Sequence, residues 1–219
     1  MMQPDQVAPR ARNHFLEEDY FSLNVRNGIV RSPTGIRMVG IPEELIAGLH
    51  AALEDETGSA SPVVQYSCGR WWGRQFIRRH AIELRQMYGM ELGELPLHFQ
   101  QQVFRRIWAL YGWGAIDVDF GLREKGFVEA TVANAIYSDV VGQQNRTTDH
   151  LVAGVLGATF SELAGRDLES TEIACRSKGD PRCSFVVGLG SRIEVVSAWV
   201  KQGRSRAEVL EALARGELA

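Results

Sequence analysis

The chain has 219 residues, enough for one domain with a buried core or one domain plus an appendage. Hydrophobic residues make up 45% and charged residues 23%, the balance of a soluble globular protein. A net charge of −3 provides no basic surplus for nucleic acid, and no apolar run reaches the roughly 18 residues of a membrane span.

Residues 1–18 are polar and carry Pro4 and Pro9, which predicts a flexible arm. This opening lacks the apolar core of a secretory leader, so the expected compartment is the cytoplasm, with three reduced cysteines. Phe21, Leu23 and Val25 alternate with polar neighbours ahead of Asn27-Gly28, a hairpin signal, with a second strand expected near Gly35 to Val39. Pro42, Glu43 and Glu44 open a helix that Gly58 closes. SASPVVQYSCG reads as a linker. The following GRWWGRQFIRRHAIELRQMYGM reads as a helix with Trp72, Phe76, Ala81 and Leu84 on its apolar side. PLHFQQQVFRRIWALYGWG predicts another helix, and AIDVDF and FVEATVANAIY predict strands.

TTDHLVAGVLGATFSELAGR predicts a helix capped by Thr147 or Thr148 and closed by Gly165. Gly154 and Gly157 lie on its small-residue face. A helical glycine costs about 1 kcal/mol relative to alanine, so the pair points to close packing against a neighbour or to an interface. ESTEIACRSKGDPRCSFVVG then places Cys175 and Cys183 on either side of a Gly-Asp-Pro turn, with Glu172 ahead of them. Three readings stand: a metal site, a disulfide, or two buried thiols in a strand pair. As zinc ligands, Glu172, Cys175 and Cys183 need a fourth, and Asp149 and His150 are the candidates. In a regular strand Glu172 and Cys175 point to opposite faces, so convergence requires a bend or bulge near Ala174. Two amphipathic helices, broken at Gly203 with Ser205 as a cap, end the chain and offer a surface to a protein partner.

Strands and helices do not alternate strictly. This predicts an α+β fold with a twisted antiparallel sheet packed with helices, divided as an arm (1–18), a ligand-binding domain (19–190) and a helical extension (191–219). Trp71, Trp72, Phe76, Trp108, Tyr111 and Trp113 form an aromatic cluster that reads as core or as a flat pocket for a planar ligand. Arg70, Arg74 and Arg78 form a basic stripe beside it, a solvated face or a clamp for an anionic group; Arg74 would serve such a ligand. His80 and His98 are weaker candidates as axial ligands of a pigment. No dinucleotide or phosphate loop, serine elbow or HExxH motif occurs, so no catalytic residue is assigned.

The string AGVLGATFSELAGRDLESTEIACRSKGDPRCSF, with Gly154, Gly165, Glu172, Cys175, Gly179 and Cys183, resembles the 4-vinyl-reductase (4VR) domain family. That family includes phenol-sensor domains and a bacteriochlorophyll-synthesis accessory protein, and shares its fold with vesicle-tethering TRAPP subunits. "YSCGRWWGRQF" and "LYGWG" resemble segments of cyanobacterial relatives tied to photosynthetic assembly. The resemblance implies a structural zinc on Glu172, Cys175 and Cys183, beside a cavity for a hydrophobic small molecule. In the phenol sensors the fourth ligand is a cysteine, and Asp149 stands at that position here. It also implies a homodimer, and a non-enzymatic carrier or assembly factor for a tetrapyrrole or bilin. A scaffold without a ligand and a vinyl reductase component are the alternatives.

Overall fold

The computed structural model describes residues 20–218, so the arm expected over 1–18 lies outside the described residues. Strands β1 (Ser22–Asn24), β2 (Ile29–Arg31) and β3 (Arg37–Met38) form a three-stranded antiparallel meander. The expected hairpin is present, but Asn27-Gly28 is not a bare two-residue turn. Val25–Asn27 is a 3-10 turn capped by the Asn24 side chain, and Gly28 takes the left-handed conformation that ends it.

Helix α1 (Glu43–Thr57) follows, then α2 (Ser61–Tyr88) and α3 (Leu97–Leu110). The expected linker at SASPVVQYSCG is instead the first turns of α2, a single helix of 28 residues. Its buried face begins with Ser61, Gln65, Gly69 and Gly73 and turns apolar only at Phe76, Ile77 and Leu84. Small and polar residues hide the period at its start, and burial against another helix supplies the stability that propensity does not.

That helix is α5 (His150–Ala164). A Cβ at Gly154 would overlap the carbonyl oxygen of Tyr66, and one at Gly69 would overlap that of Leu151. At Gly73 it would lie 2.6 Å from the Val155 carbonyl oxygen. The glycines therefore let two backbones touch within the chain. The small face of α5 is covered by α2, which removes it as a dimer interface and settles Gly154 and Gly157 as close-packing positions.

The main sheet has the order β4-β5-β7-β6, all antiparallel, with β4 (Ala115–Asp119), β5 (Val128–Ala133), β6 (Glu169–Ala174) and β7 (Cys183–Gly188). The second predicted strand stops early, because Asn134 turns left-handed and α4 (Ile136–Val141) begins. Alternation along β7 divides the interior into two cores. Cys183, Phe185 and Val187 face α2, α3 and α5. Val186, with Ile173 and Phe127, faces α6 (Gly190–Lys201) and α7 (Arg206–Arg215). The capping box at Ser205 is present as expected. The apolar faces of the C-terminal helices are spent on the sheet, since Ile193, Val196, Trp199, Val209 and Leu213 are all buried there. Those faces are therefore not free for a partner protein.

Candidate metal and ligand site

The β6–β7 hairpin supplies three potential ligands through one irregularity. Glu172 pairs with Phe185 and Ala174 with Ser184, so Ile173 is an extra residue. This bulge turns Cys175 to the same face as Glu172, the face that packs on α5. The Glu172, Cys175 and Cys183 donor atoms lie within 4.8 Å of one another, and all three residues are buried. Gly179 is left-handed at the turn, and Asp180 accepts the Cys175 amide N–H at 2.9 Å, closing the loop tightly. The two cysteines are free thiols, not a disulfide.

The N-terminus of α5 is aimed at this cluster. Its first residues find no side-chain cap of their own. Glu172 Oε2 instead accepts from the backbone N–H groups of Thr148 at 3.1 Å and Asp149 at 3.0 Å, leaving Oε1 without a partner among the described residues. The expected cap by a threonine hydroxyl is absent for a chemical reason. Thr148 Oγ1 is turned to Cys175 Sγ at 3.5 Å and to Ser177 Oγ at 3.0 Å. On the other side Cys183 Sγ donates to Ser138 Oγ at 3.4 Å.

Asp149 is fully buried, interacts with the Cys183 thiol, and satisfies neither carboxylate oxygen among the described residues. It stands beside the mutual 4.8 Å set and not within it. His150, the other candidate, is half-buried and is influenced chiefly by its burial, then by Arg146, Cys175 and Glu54. Burial pushes the Asp149 carboxyl up to about 7, and desolvation with the nearby Asp149 charge pushes Glu172 well above the carboxylate range. The Cys183 thiol holds Cys175 down to about 4, and that same interaction with burial drives Cys183 upward. A dry site with one stabilised thiolate, a second thiol and three unsatisfied carboxylate oxygens is a donor set for a metal ion. An unpaired buried polar group costs about 1–3 kcal/mol, more when charged, and a cation removes that cost. The sequence pointed to four of these residues, but not to Thr148, Ser138 and Ser177, whose small hydroxyls carry no distinctive pattern.

The aromatic cluster is divided by the structure. Trp72 stacks on Trp113 with centroids 4.9 Å apart, and Tyr111 meets both Trp72 and Phe76 edge-on. Trp108 is buried core against Phe104 and Phe76. Trp71 is 69% exposed on the opposite side of α2 and lines an open surface groove with Arg74. Adjacent residues on a helix point about 100° apart, so Trp71 and Trp72 serve different surfaces. Of the seven residues expected to bind ligand, Phe76 alone lines the apolar cavity between α2, α3, α5 and β4. That cavity measures about 30 Å³ and is walled by Leu84, Val103, Phe104, Ile107 and Val118 among others, with His80 as a polar point. His80 is buried, with Nδ1 at 2.9 Å from Glu83 Oε2, which also accepts from the Tyr20 hydroxyl at 2.7 Å. His98 is exposed on α3. The arginine stripe is partly an ion-pair seam: Arg70 meets Asp167 and Glu169, and Arg78 meets Glu162.

Residues 129–189, the segment from β5 through the hairpin, match the family model of the 4VR domain. Among solved structures, the sensory domain of the phenol-responsive transcription activator PoxR, with phenol, matches at TM-score 0.63 and 15% identity. The match covers 78% of this chain and 85% of that one. A trafficking protein particle complex subunit 3 from Naegleria fowleri, covalently bound to palmitic acid, matches at TM-score 0.51 and 15% identity, covering 67% and 94%. A vinyl-4-reductase family protein from Methanocaldococcus jannaschii matches at TM-score 0.47 and 17% identity, covering 68% and 82%. No curated protein sequence matches significantly. The hairpin bearing Glu172, Cys175 and Cys183 thus lies inside a recognised domain, and through residues 129–189 this chain belongs to the 4VR-domain family.

Proposed function

We propose that this protein is a small-molecule-binding 4VR protein in which a structural zinc ion fastens the β6–β7 hairpin to the head of α5. Asp149, Glu172, Cys175 and Cys183 would hold the ion. Zinc accepts both thiolate sulfur and carboxylate oxygen, and four protein donors leave no open position for water, which suits a structural role. The observation that carries this reading is the convergence of unsatisfied Asp149 and Glu172 oxygens on two free buried thiols. When bound, the ion would supply positive charge to a dry carboxylate and thiolate cluster. The chain's own part is to present the donors: the bulge turns Cys175 inward, and the amides of Thr148 and Asp149 hold Glu172 in place.

The small molecule would enter the apolar cavity beside His80. Its size of about 30 Å³ favours a single aromatic ring that opens the walls slightly over a tetrapyrrole or bilin, and the dispersal of the tryptophans adds to that preference. The phenol held by the PoxR neighbour makes phenols the first compounds to test. A carrier or assembly role, a homodimer and a cytoplasmic setting complete the proposal; a vinyl reductase component is checked by turnover of a divinyl tetrapyrrole with reductant.

Calorimetric titration with phenol and its alkyl derivatives tests the ligand reading. Saturable binding is expected, weakened about tenfold or more by Ile77→Phe, which fills the cavity. Absence of heat and of any stabilisation across the series would rule the cavity out as a site for such ligands.

A further inference from the structure

The apolar cavity has an outer neighbour. A groove of about 280 Å³ runs along the C-terminal half of α5 and the end of β7, floored by Phe127, Val128, Leu168, Val187 and Gly188. Gln100, Phe120, Phe160 and Leu163 line both this groove and the inner cavity. The two spaces are therefore opposite sides of one thin wall. Phe120 and Phe160 meet edge-on in that wall, with centroids 6.4 Å apart. Phe120 is half-buried and follows the end of β4, outside any helix or strand. Rotation of its ring is enough to join groove and cavity.

The groove carries charge of one sign. Its charged lining residues are Arg123 and Arg166, both exposed at the rim, and among the described residues no carboxylate lines it. Arg123 pairs with the exposed Glu124 beside it, at 3.3 Å, a contact of little energetic weight. A third guanidinium, that of Arg192, lies over the Phe127 ring at 4.3 Å. An apolar floor with a cationic rim is complementary to a linear amphiphile. Its carboxylate would meet the arginine forks while its alkyl chain lies on the phenylalanines and passes inward.

We propose that the groove and the cavity form one binding path for a carboxylate-headed alkyl chain, with Arg123 and Arg166 receiving the head and the Phe120–Phe160 wall opening to admit the tail. This names the ligand class for the site proposed above and rests on that reading for its inner half only. A neutral single ring can use the cavity alone. An alkyl carboxylate needs both halves.

The full chain is titrated calorimetrically with hexanoate, octanoate and decanoate, with 1-decanol and with phenol. Affinity should rise about fourfold per added methylene, as burial of each in apolar surroundings requires. In the double variant Arg123→Gln with Arg166→Gln, decanoate should weaken about tenfold or more while 1-decanol is unchanged. Both substitutions lie on the surface, and retention of the parent circular dichroism spectrum shows that the fold persists. Equal decanoate affinity in parent and double variant would overturn the arginine assignment. A flat response to chain length would overturn the joined path. Phenol binding without decanoate binding would sink this inference and leave the cavity reading intact, and decanoate binding without phenol binding would do the reverse.

Discussion

Asp149 occupies an expensive position for a carboxylate: fully buried, with neither oxygen satisfied among the described residues. Burial pushes its carboxyl up to about 7 from an ordinary value of 3.8. In the metal-free protein the folded state therefore holds this proton more tightly than the unfolded state. Stability from this group is full below about pH 4 and is lost as pH rises through 7. Asp149→Asn should flatten that loss, which chemical denaturation of chelated protein at about pH 5 and about pH 7.5 will show. With zinc present the ranking reverses: the carboxylate is the useful form, and Asp149→Asn should bind metal less tightly than the parent. If Asp149→Asn leaves both the pH dependence and the metal affinity unchanged, the carboxylate is outside the site. His150→Ala is the control, and little change in metal affinity is expected.

At the scale of elements, the α2–α5 contact explains most of what the sequence hid. Glycine is usually read as a stop, and Gly69 and Gly73 made the first half of α2 look like a linker. Their meaning is tertiary, because each accepts the backbone of α5 at a distance no Cβ permits. Gly154→Ala should lower Tm by roughly 5–10 °C through overpacking, measurable by calorimetry. A variant within about 1–2 °C of the parent would mean that the helices separate easily. The hairpin was more legible. Opposite facing of Glu172 and Cys175 in a regular strand demanded a bulge near Ala174, and the register slips at Ile173. The C-terminal helices were legible as amphipathic. Their partner was not, since hydrophobic periodicity shows that a face will be covered but not by what.

Across the whole molecule, the four-stranded sheet separates two cores, and the hairpin contributes to both. Cys183 and Phe185 point to the α2–α3–α5 side, and Val186 to the α6–α7 side. A metal ion at Asp149, Glu172, Cys175 and Cys183 would join the central hairpin to the helix that walls the ligand cavity. The seven aromatic and basic candidates were scattered by this architecture because a linear sequence does not reveal which side of α2 faces the sheet; Trp71 and Trp72 differ by one position and end on different surfaces. The clip is the claim on which the proposed function turns. Its direct test is elemental analysis of untagged protein purified without added metal, comparing the parent with Cys175→Ser. The account predicts about one zinc per chain in the parent and its loss from a folded variant. A parent that is folded and metal-free, and that takes up no zinc on titration, would contradict it.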